Sequence, residues 1–556
     1  MAVANANQPQ KTVADPCAAY DSLLQLWSKS RAVLSGERFV KDFDGTVDTV
    51  RFSNLLLPFS PTMAQDQYNF YKAEAELPGI VVQYAKTIVG GLLRKQPQLK
   101  LPDGIPKDAY QWIMDGFAQD SSPMVSFLDS ALWEEAQTSR AWVYVDYPNI
   151  PVLKRDAMTA EEVKAIKPYP VLWRAESVIN WRTAISSESG SQILDRVIVR
   201  NYESKFTSAN EFHPTLLDTV WVHEIVEGLY QIRKYQKQED NAPVLVVSGQ
   251  NQQQYSNPTA TNGTSASTQA FILIETITEL YINGERATVI PAWPLNGSIE
   301  PTEPMLIQLI DREIGLYNKV SRRNHLLYGA ATYTPVIIGD LPDTDFEDIV
   351  SGGLGSWLKL PAGCTAEALA TPTDALADMD RAIAAGYEEM ARLGIRMLSP
   401  ETAQSGVALD IRNASQTAQL GVLNIKVSSQ LADIIAFMLN WRYDLKLTSV
   451  DIEFTLSVDF NPTPLGADWL RLVTEWYQGG IIPRSVWLQI LKINDIVPPD
   501  YDDEEGLLEI NKDDLVISPA QSTMYDAQVA QEAGIFPKKA PPSPADKTLV
   551  NPAAKT

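Results

Sequence analysis

The sequence predicts an α+β chain in which a β-rich region leads into three long helices and a helical C-terminal part. Three observations carry this. Residues 169 to 300 are dense in β-branched and aromatic residues, as in DRVIVRNYESKF, TVWVHEIVEG and LYQIRKYQ. Apolar residues recur every three or four positions through 303–328, 371–397 and, from Leu420 to Trp441, the latter part of 407–444, the period of a helix with one buried face. DIEFTLSVDF (451–460) alternates apolar and polar residues, the period of a half-buried strand.

In chain order, residues 1–15 read as a flexible tail. Asp21 to Leu34 is an amphipathic helix, and two more follow at 63–74 and 81–94, separated by the break at Leu77-Pro78. Ser122 to Gln137 is a helix expected to take Ser122 as its cap and Pro123 as its first residue. AWVYVDYP (141–148) is a short buried strand that ends at Pro148. Within the β-rich region FILIETITELYI precedes Asn283-Gly284, a favoured hairpin turn, and ATVIPAW is the returning strand. The polar stretch 248–269 reads as a long mobile loop that could dock a partner.

Thr302, Glu303 and Pro304 are expected to start the first long helix, with Leu306, Ile310, Ile314, Tyr317 and Val320 on its apolar stripe. TYTPVIIGD (332–340), DTDFEDIVS (343–351) and SWLKLPAG (356–363) read as strand, short helix and strand, a small α/β insert. Thr371 and Asp374, with Pro372 between them, make a capping-box start for the second long helix. Ser399-Pro400 stops that helix, and a bare turn of small polar residues follows. The third long helix keeps its rhythm through Leu420, Leu423, Val427, Leu431, Ile434 and Met438. GADWLRLVTEWYQGG and PRSVWLQILK form a last helix pair capped by Gly479-Gly480, ahead of an acidic loop and a Pro/Lys/Ala-rich tail.

Bulk composition narrows the function. Lys+Arg is 46 and Asp+Glu is 69, a net charge of −23, so broad binding of nucleic acid or anionic membrane is disfavoured. Two cysteines exclude a disulfide framework, and with three histidines they leave little for a zinc site. The N-terminus lacks the basic start and apolar run of a signal peptide, and no run of about 18 apolar residues suggests a membrane span. The P-loop, nucleophile-elbow, zincin and dinucleotide motifs are absent. His213, His223 and His325 read as surface or packed residues. The run Asp500, Asp502, Asp503, Glu504 and Glu505 lacks the spacing of a cation loop, and among the acids at 340–348 Asp343 and Asp345 suit the dipole at the start of a short helix. No catalytic residue, cofactor or metal is expected. A metal-dependent phosphodiesterase built on these acids is the enzymatic alternative, and another virion or scaffold protein the structural one.

Several local stretches, taken in order, resemble a portal-like subgroup of the portal proteins of tailed bacteriophages. They are GERFV (36–40) with LLLP (55–58), AWVYVDYP, PYPVLWRAESVINWR (168–182), MLIQLIDREIGLYNKVSRRNHLLYGAATYTPVIIG (305–339), ETAQSGVALDI (401–411), and DFNPTP with WYQGGIIPRSVW (459–487). Such sequences often have Gly-Arg before the VDYP strand, where this chain has Ser139-Arg140.

The resemblance implies a portal fold. Residues 16–302 would be the wing, 303–329 and 371–397 the two stem helices, and 330–370 the clip between them. Residues 398–406 would be the tunnel loop, 407–464 the long wing helix and a strand returning to the wing sheet, 465–535 a helical crown, and 536–556 a flexible tail. It implies a homo-oligomeric ring of twelve subunits at the capsid vertex of the virion, assembled in the host cytoplasm. Double-stranded DNA would pass through it, and the terminase large subunit, head–tail adaptor proteins and the major capsid protein would dock on it. Ser399, Pro400, Glu401, Thr402, Gln404, Ser405 and Gly406 would form the channel constriction. Lys319, Arg322, Arg323, Arg392 and Arg396 would be neighbours of DNA phosphates, or else would pair with Glu388, Glu389 and carboxylates of adjacent subunits. Asp343, Asp345, Phe346, Asp348 and Trp357 would present the clip to its partners.

Overall fold

The computed structural model describes residues 12–47, 49–56, 63–148, 158–159, 166–185, 190–207, 210–238, 271–278, 280–282, 285–331, 334–338, 363, 365–369, 374–393, 406–457, 467–493 and 496–497. It is mixed helix and sheet, the α+β class. The chain divides into two compact units, 1–461 and 462–556, each described by itself.

The first unit begins with helices α1 (Ala18–Ser35) and α2 (Glu37–Lys41) and a hairpin of β1 (Asp44–Val47) and β2 (Val50–Ser53). Helices α3 (Gln65–Glu74) and α4 (Ile80–Leu92), strand β3 (Gln98–Lys100), and helices α5 (Lys107–Asp115) and α6 (Met124–Thr138) follow. Val81, Ala85, Ile88 and Leu92 of α4 lie in one core with Leu128, Ala131 and Leu132 of α6. Each large apolar side chain so buried contributes about 1.5–3 kcal/mol. Ser122 does not cap α6. Pro123 takes the capping position, because Ser122 closes the preceding turn: its carbonyl accepts the Phe117 N–H at 3.1 Å, and its own N–H goes to Asp120 at 3.0 Å.

Strand β4 (Trp142–Asp146) pairs with β5 (Tyr169–Trp173). Strands β6 (Val178–Ile185), β7 (Gln192–Thr207), β8 (Asn210–Val226), β9 (Leu229–Lys237) and β10 (Phe271–Ile277) form an antiparallel sheet in the order β10-β9-β8-β7-β6. Successive residues of β7 serve opposite faces, as the pleat requires. Ile198 packs with Tyr20, Leu23 and Trp27 of α1, whereas Val197 and Val199 pack with Trp142, Tyr144, Tyr230 and Ile232. His223 is fully buried among these aromatics, with Nδ1 2.7 Å from the Tyr230 hydroxyl. Burial pushes its pKa down to about 3, so it is a neutral packed residue, as expected.

Strands β11 (Tyr281–Ile282) and β12 (Glu285–Arg286) pair across Asn283-Gly284, which lie outside the described residues. ATVIPAW is not the long returning strand expected. Only β13 (Ala292–Pro294) forms, and it pairs with β4, because the buried Trp142–Val143–Tyr144 edge is the apolar surface it can join. Helix α7 (Ile307–Ala331), strands β14 (Thr334–Ile338) and β15 (Thr365–Leu369), and helices α8 (Asp374–Arg392) and α9 (Gly406–Tyr443) complete the long-helix part. A 3₁₀ turn at Ser449–Asp451 precedes β16 (Glu453–Thr455). Strand β16 pairs with β3, within the span called the wing, in a two-stranded sheet and not with the five-stranded sheet. Its alternation is nonetheless real, with Ile452, Phe454 and Leu456 all buried.

The segment Leu420–Tyr443 of α9 is long and apolar enough to cross a membrane by length and composition alone. Val427, Leu431, Ile434, Ile435 and Met438 account for that composition by packing into the core. In the second unit, α10 (Ala467–Gln478) and α11 (Arg484–Ile493) form a hairpin around Val473, Leu488 and Leu491, with the rings of Tyr477 and Trp487 stacked at 4.8 Å. The turn after α10 uses Gly480 at φ +70°, where glycine carries no Cβ penalty.

The turn from α6 into β4 holds the segment that enters α7. Ser139 sits at φ +52°, a left-handed conformation that explains why glycine suits the position. Its hydroxyl accepts the Met305 N–H at 2.9 Å, which offsets the strain. Arg140 lies between the rings of Trp142 and Trp181 and donates to the carbonyls of Ser298 and Ile299. Glu135, beneath this turn, accepts the Ala141 N–H at 3.0 Å. The residue is 2% exposed, and burial raises its pKa to about 7 against the opposing pull of that bond. The folded chain therefore keeps this proton through a range in which the unfolded chain loses it. Stability is expected to fall as pH rises from about 4.5 to about 7, by up to roughly 3 kcal/mol from this group, and to level off above. Denaturant melts of Glu135→Gln should lack this component, so the variant gains on the parent between pH 5 and pH 8.

Candidate functional site

The element that stands out from the core is the α7–α8 hairpin. The root of α7 is buried through Leu309, Ile310, Leu316 and Tyr317. Glu313 lies on the same stripe, fully buried, and accepts the N–H groups of Ile80 at 2.7 Å and Val81 at 2.9 Å. It thus caps α4 from another helix, where a carboxylate also meets the positive end of the helix dipole. Burial raises its pKa and these backbone bonds oppose the rise. Asn318 donates to the Leu55 carbonyl at 3.0 Å, and Lys29 of α1 pairs with Asp311.

Beyond the root, α7 runs antiparallel to α8. Arg312 pairs with Glu389 at 3.2 Å and Arg323 with Asp380 at 2.6 Å, a ladder that fixes register. Between the two helices in chain order, β14 and β15 pair antiparallel as a ribbon, with Thr334 opposite Leu369 and Ile338 opposite Thr365. At 1.5 Å per residue α7 is about 37 Å long. Most of α8 is exposed. Met390 is buried, whereas Tyr387 and Leu393 are open, as are Leu327 and Tyr328 on α7. The pair is tight at Gly386, where a Cβ would lie 3.0 Å from Leu316 Cδ1. Gly386→Val is expected to splay the pair at a cost of about 1–3 kcal/mol. Faster amide exchange across 374–392, with the α9 core unchanged, is the observation that checks it.

The five expected phosphate neighbours do not form one cluster. Lys319 is exposed, with Nζ 4.0 Å from the Cβ position of Gly386, so it lies toward α8, as does Arg323. Arg322 instead lines a cavity of about 280 Å³ toward α3, with Met63, Tyr71, His325 and Leu326. Burial pushes Tyr71 up to about 12, and the charge of Arg322 opposes that rise. Arg392 pairs within its helix with Glu388 at 3.6 Å, one of the pairings expected as the alternative to phosphate contact. Arg396 lies outside the described residues. So do Ser399, Pro400, Glu401, Thr402, Gln404 and Ser405, while Gly406 is the first residue of α9. Asp343, Asp345, Phe346, Asp348 and Trp357, the acidic run at 500–505 and the loop 248–269 also lie outside. Among the described residues, no three His, Cys, Asp or Glu side chains come together as a metal site.

The sequence reading missed Glu313, Gly386 and the Arg312–Glu389 pair. Two of these had a readable signal. Glu313 is an acid in helical step with Leu309 and Tyr317, so it must face the core. Gly386 is a glycine inside a helix otherwise rich in alanine.

Residues 305–442 match a family described as a domain of unknown function, DUF4055. The match runs from the entry to α7 to the end of α9. No curated protein matches the chain. Among solved structures it is similar to a chain of the virion of a native gene transfer agent (GTA) particle, at 11% identity and a TM-score of 0.31, over 72% of this chain and 85% of that one. It is similar to a chain in the neck of an empty GTA particle computed with C6 symmetry, at 11% identity and a TM-score of 0.32, over 74% and 90%. A chain in the neck of a native GTA particle computed with C12 symmetry gives 11% and 0.31, over 74% and 89%.

Proposed function

We propose that the chain is a structural protein of a virion, and within that class a portal. It would form a ring at the capsid vertex through which double-stranded DNA is packaged and released. The observation that carries this reading is the α7–α8 hairpin. A single copy leaves Leu327, Tyr387 and Leu393 exposed along it. A ring of copies would cover such a hairpin with its neighbours, and the β14–β15 ribbon would then stand at one end of the ring as the docking clip. The terminase large subunit and head–tail adaptors would meet the clip, and the major capsid protein the wing. The protein would carry no catalysis of its own.

The charge balance supports a conduit. Duplex DNA carries about one charge per 1.7 Å of axis, and a passage must not hold it. With Arg323 tied to Asp380 and Arg392 to Glu388, Lys319 is the cation of this hairpin that has no carboxylate in ion-pair reach among the described residues on the α8 side. Gly406→Val, at the expected constriction, should impair DNA packaging while leaving rings intact. Packaging is read by protected DNA per particle and assembly by native mass. Failed assembly would assign Gly406 a packing role.

A further inference from the structure

The β7–β8 hairpin outruns its sheet. Strand β6 pairs with β7 only as far as Val199, and β9 pairs with β8 only from Thr219 onward. Beyond Arg200, whose N–H goes to the Ser177 carbonyl at 2.8 Å, residues 201–207 and 210–218 pair only with each other among the described residues. A two-stranded ribbon is marginal in water without further support. This one nonetheless holds Tyr202, Phe206, Phe212 and Leu216 in the open, with Phe212 83% exposed. At about 200 Å² per aromatic side chain, the apolar surface is on the order of 500 Å², the size of a functional patch. Strand addition is blunted, because Pro214 has no N–H and the pairing slips between Lys205 and Thr207. The ribbon is therefore built to make contact through its side chains.

The same chain carries a receptor of matching character. A groove of about 730 Å³ runs between α9 and β16, lined by Asn424, Ile452 and Phe454, with Ile425 71% and Val450 89% exposed at its rim. Since Phe212 and Ile425 are both open, neither covers the other within one copy. The ribbon is close to neutral, with Arg200 and Lys205 against Glu203, Glu211 and Asp218, in a chain of net charge −23. Copies so acidic repel one another least where they meet through such a surface. A head-to-tail ring requires two different, complementary patches on each copy, and the ribbon tip and the groove are such a pair.

We infer that the ribbon tip of one copy, through Phe206 and Phe212, seats in the α9–β16 groove of the next copy. This rests on the ring reading above and adds the contact that links neighbours. The test uses the full chain with the photocrosslinker p-benzoylphenylalanine in place of Phe212. The expected product is a covalent dimer whose crosslinked peptide lies within 421–455. Ile425→Asp with Val450→Asp, both at exposed sites, should cut its yield at least tenfold and leave the circular dichroism unchanged. Crosslinking within one chain, crosslinking to another region of the second copy, or rings that form without this product would each overturn the contact. The native mass of the same sample reads ring formation separately, so loss of the contact and loss of the ring are distinguished.

Discussion

Glu313→Leu should destabilise the first unit by about 3 kcal/mol or more. The cost follows from the two amides it leaves behind. The N–H groups of Ile80 and Val81 end at 2.7 and 2.9 Å on the Glu313 side chain, which is fully buried, so water is a poor replacement for the carboxylate. A buried donor left without a partner costs about 1–3 kcal/mol, and here there are two. Leucine fits the volume, so the loss reflects the unmet donors and not a cavity. Glu313→Gln keeps one oxygen as an acceptor and should fall between leucine and the parent. Because the site joins α4 to the root of α7, the leucine variant should also loosen the α7–α8 hairpin. Denaturant melts with amide exchange over 80–92 and 307–320 measure both effects. A leucine variant within about 0.5 kcal/mol of the parent would contradict the capping role.

Arg31→Ala is the second large effect. The Arg31 guanidinium joins Glu134, at 2.5 Å from Nη2, to Glu176, at 2.6 Å, and also donates to Gln137 at 2.6 Å. Burial alone would lower the Arg31 pKa, and the bonds to Glu176 and Glu134 more than reverse this. The Glu134 side chain is only 5% exposed, and its Oε1 also accepts the Ala175 N–H at 3.1 Å. Removing the cation leaves a buried carboxylate beside a second one. Breaking a buried pair in this way costs about 3–5 kcal/mol. Adding Glu134→Ala should recover part of the loss, and the double-mutant cycle should give a coupling energy above about 1 kcal/mol. Equal and additive losses would mean that the two side chains do not act as a pair.

The long helices were legible because their stripes are long and regular. Helix α8 lies within the span its periodicity predicts, α9 matches its span to one residue at each end, and the short strands around Trp142 and Thr334 stand where composition puts them. What failed was decided by contacts distant in sequence. Thr302-Glu303-Pro304 has the composition of a helix start, yet α7 begins at Ile307, because the Met305 N–H is taken by Ser139 more than 160 residues away. TAEAL has little strand character, and it becomes β15 because TPVII offers it an edge. SWLKLPAG, the strand expected in its place, lies outside the described residues except Gly363. Of the candidate site, the hairpin and its cations could be read from the sequence. The side each cation takes could not, since Arg322 turns to α3 while its neighbour Arg323 turns to Asp380.

The central claim is that copies of this chain close into a ring around a passage for DNA. Native mass measurement of the purified full-length protein, followed by imaging of the same particles, tests it most directly. The account predicts a closed ring of one fixed copy number, twelve chain masses with twelve-fold symmetry, and an open axis wide enough for a duplex. A chain that stays monomeric at high concentration, or that forms only open chains or dimers without an axial passage, would contradict it.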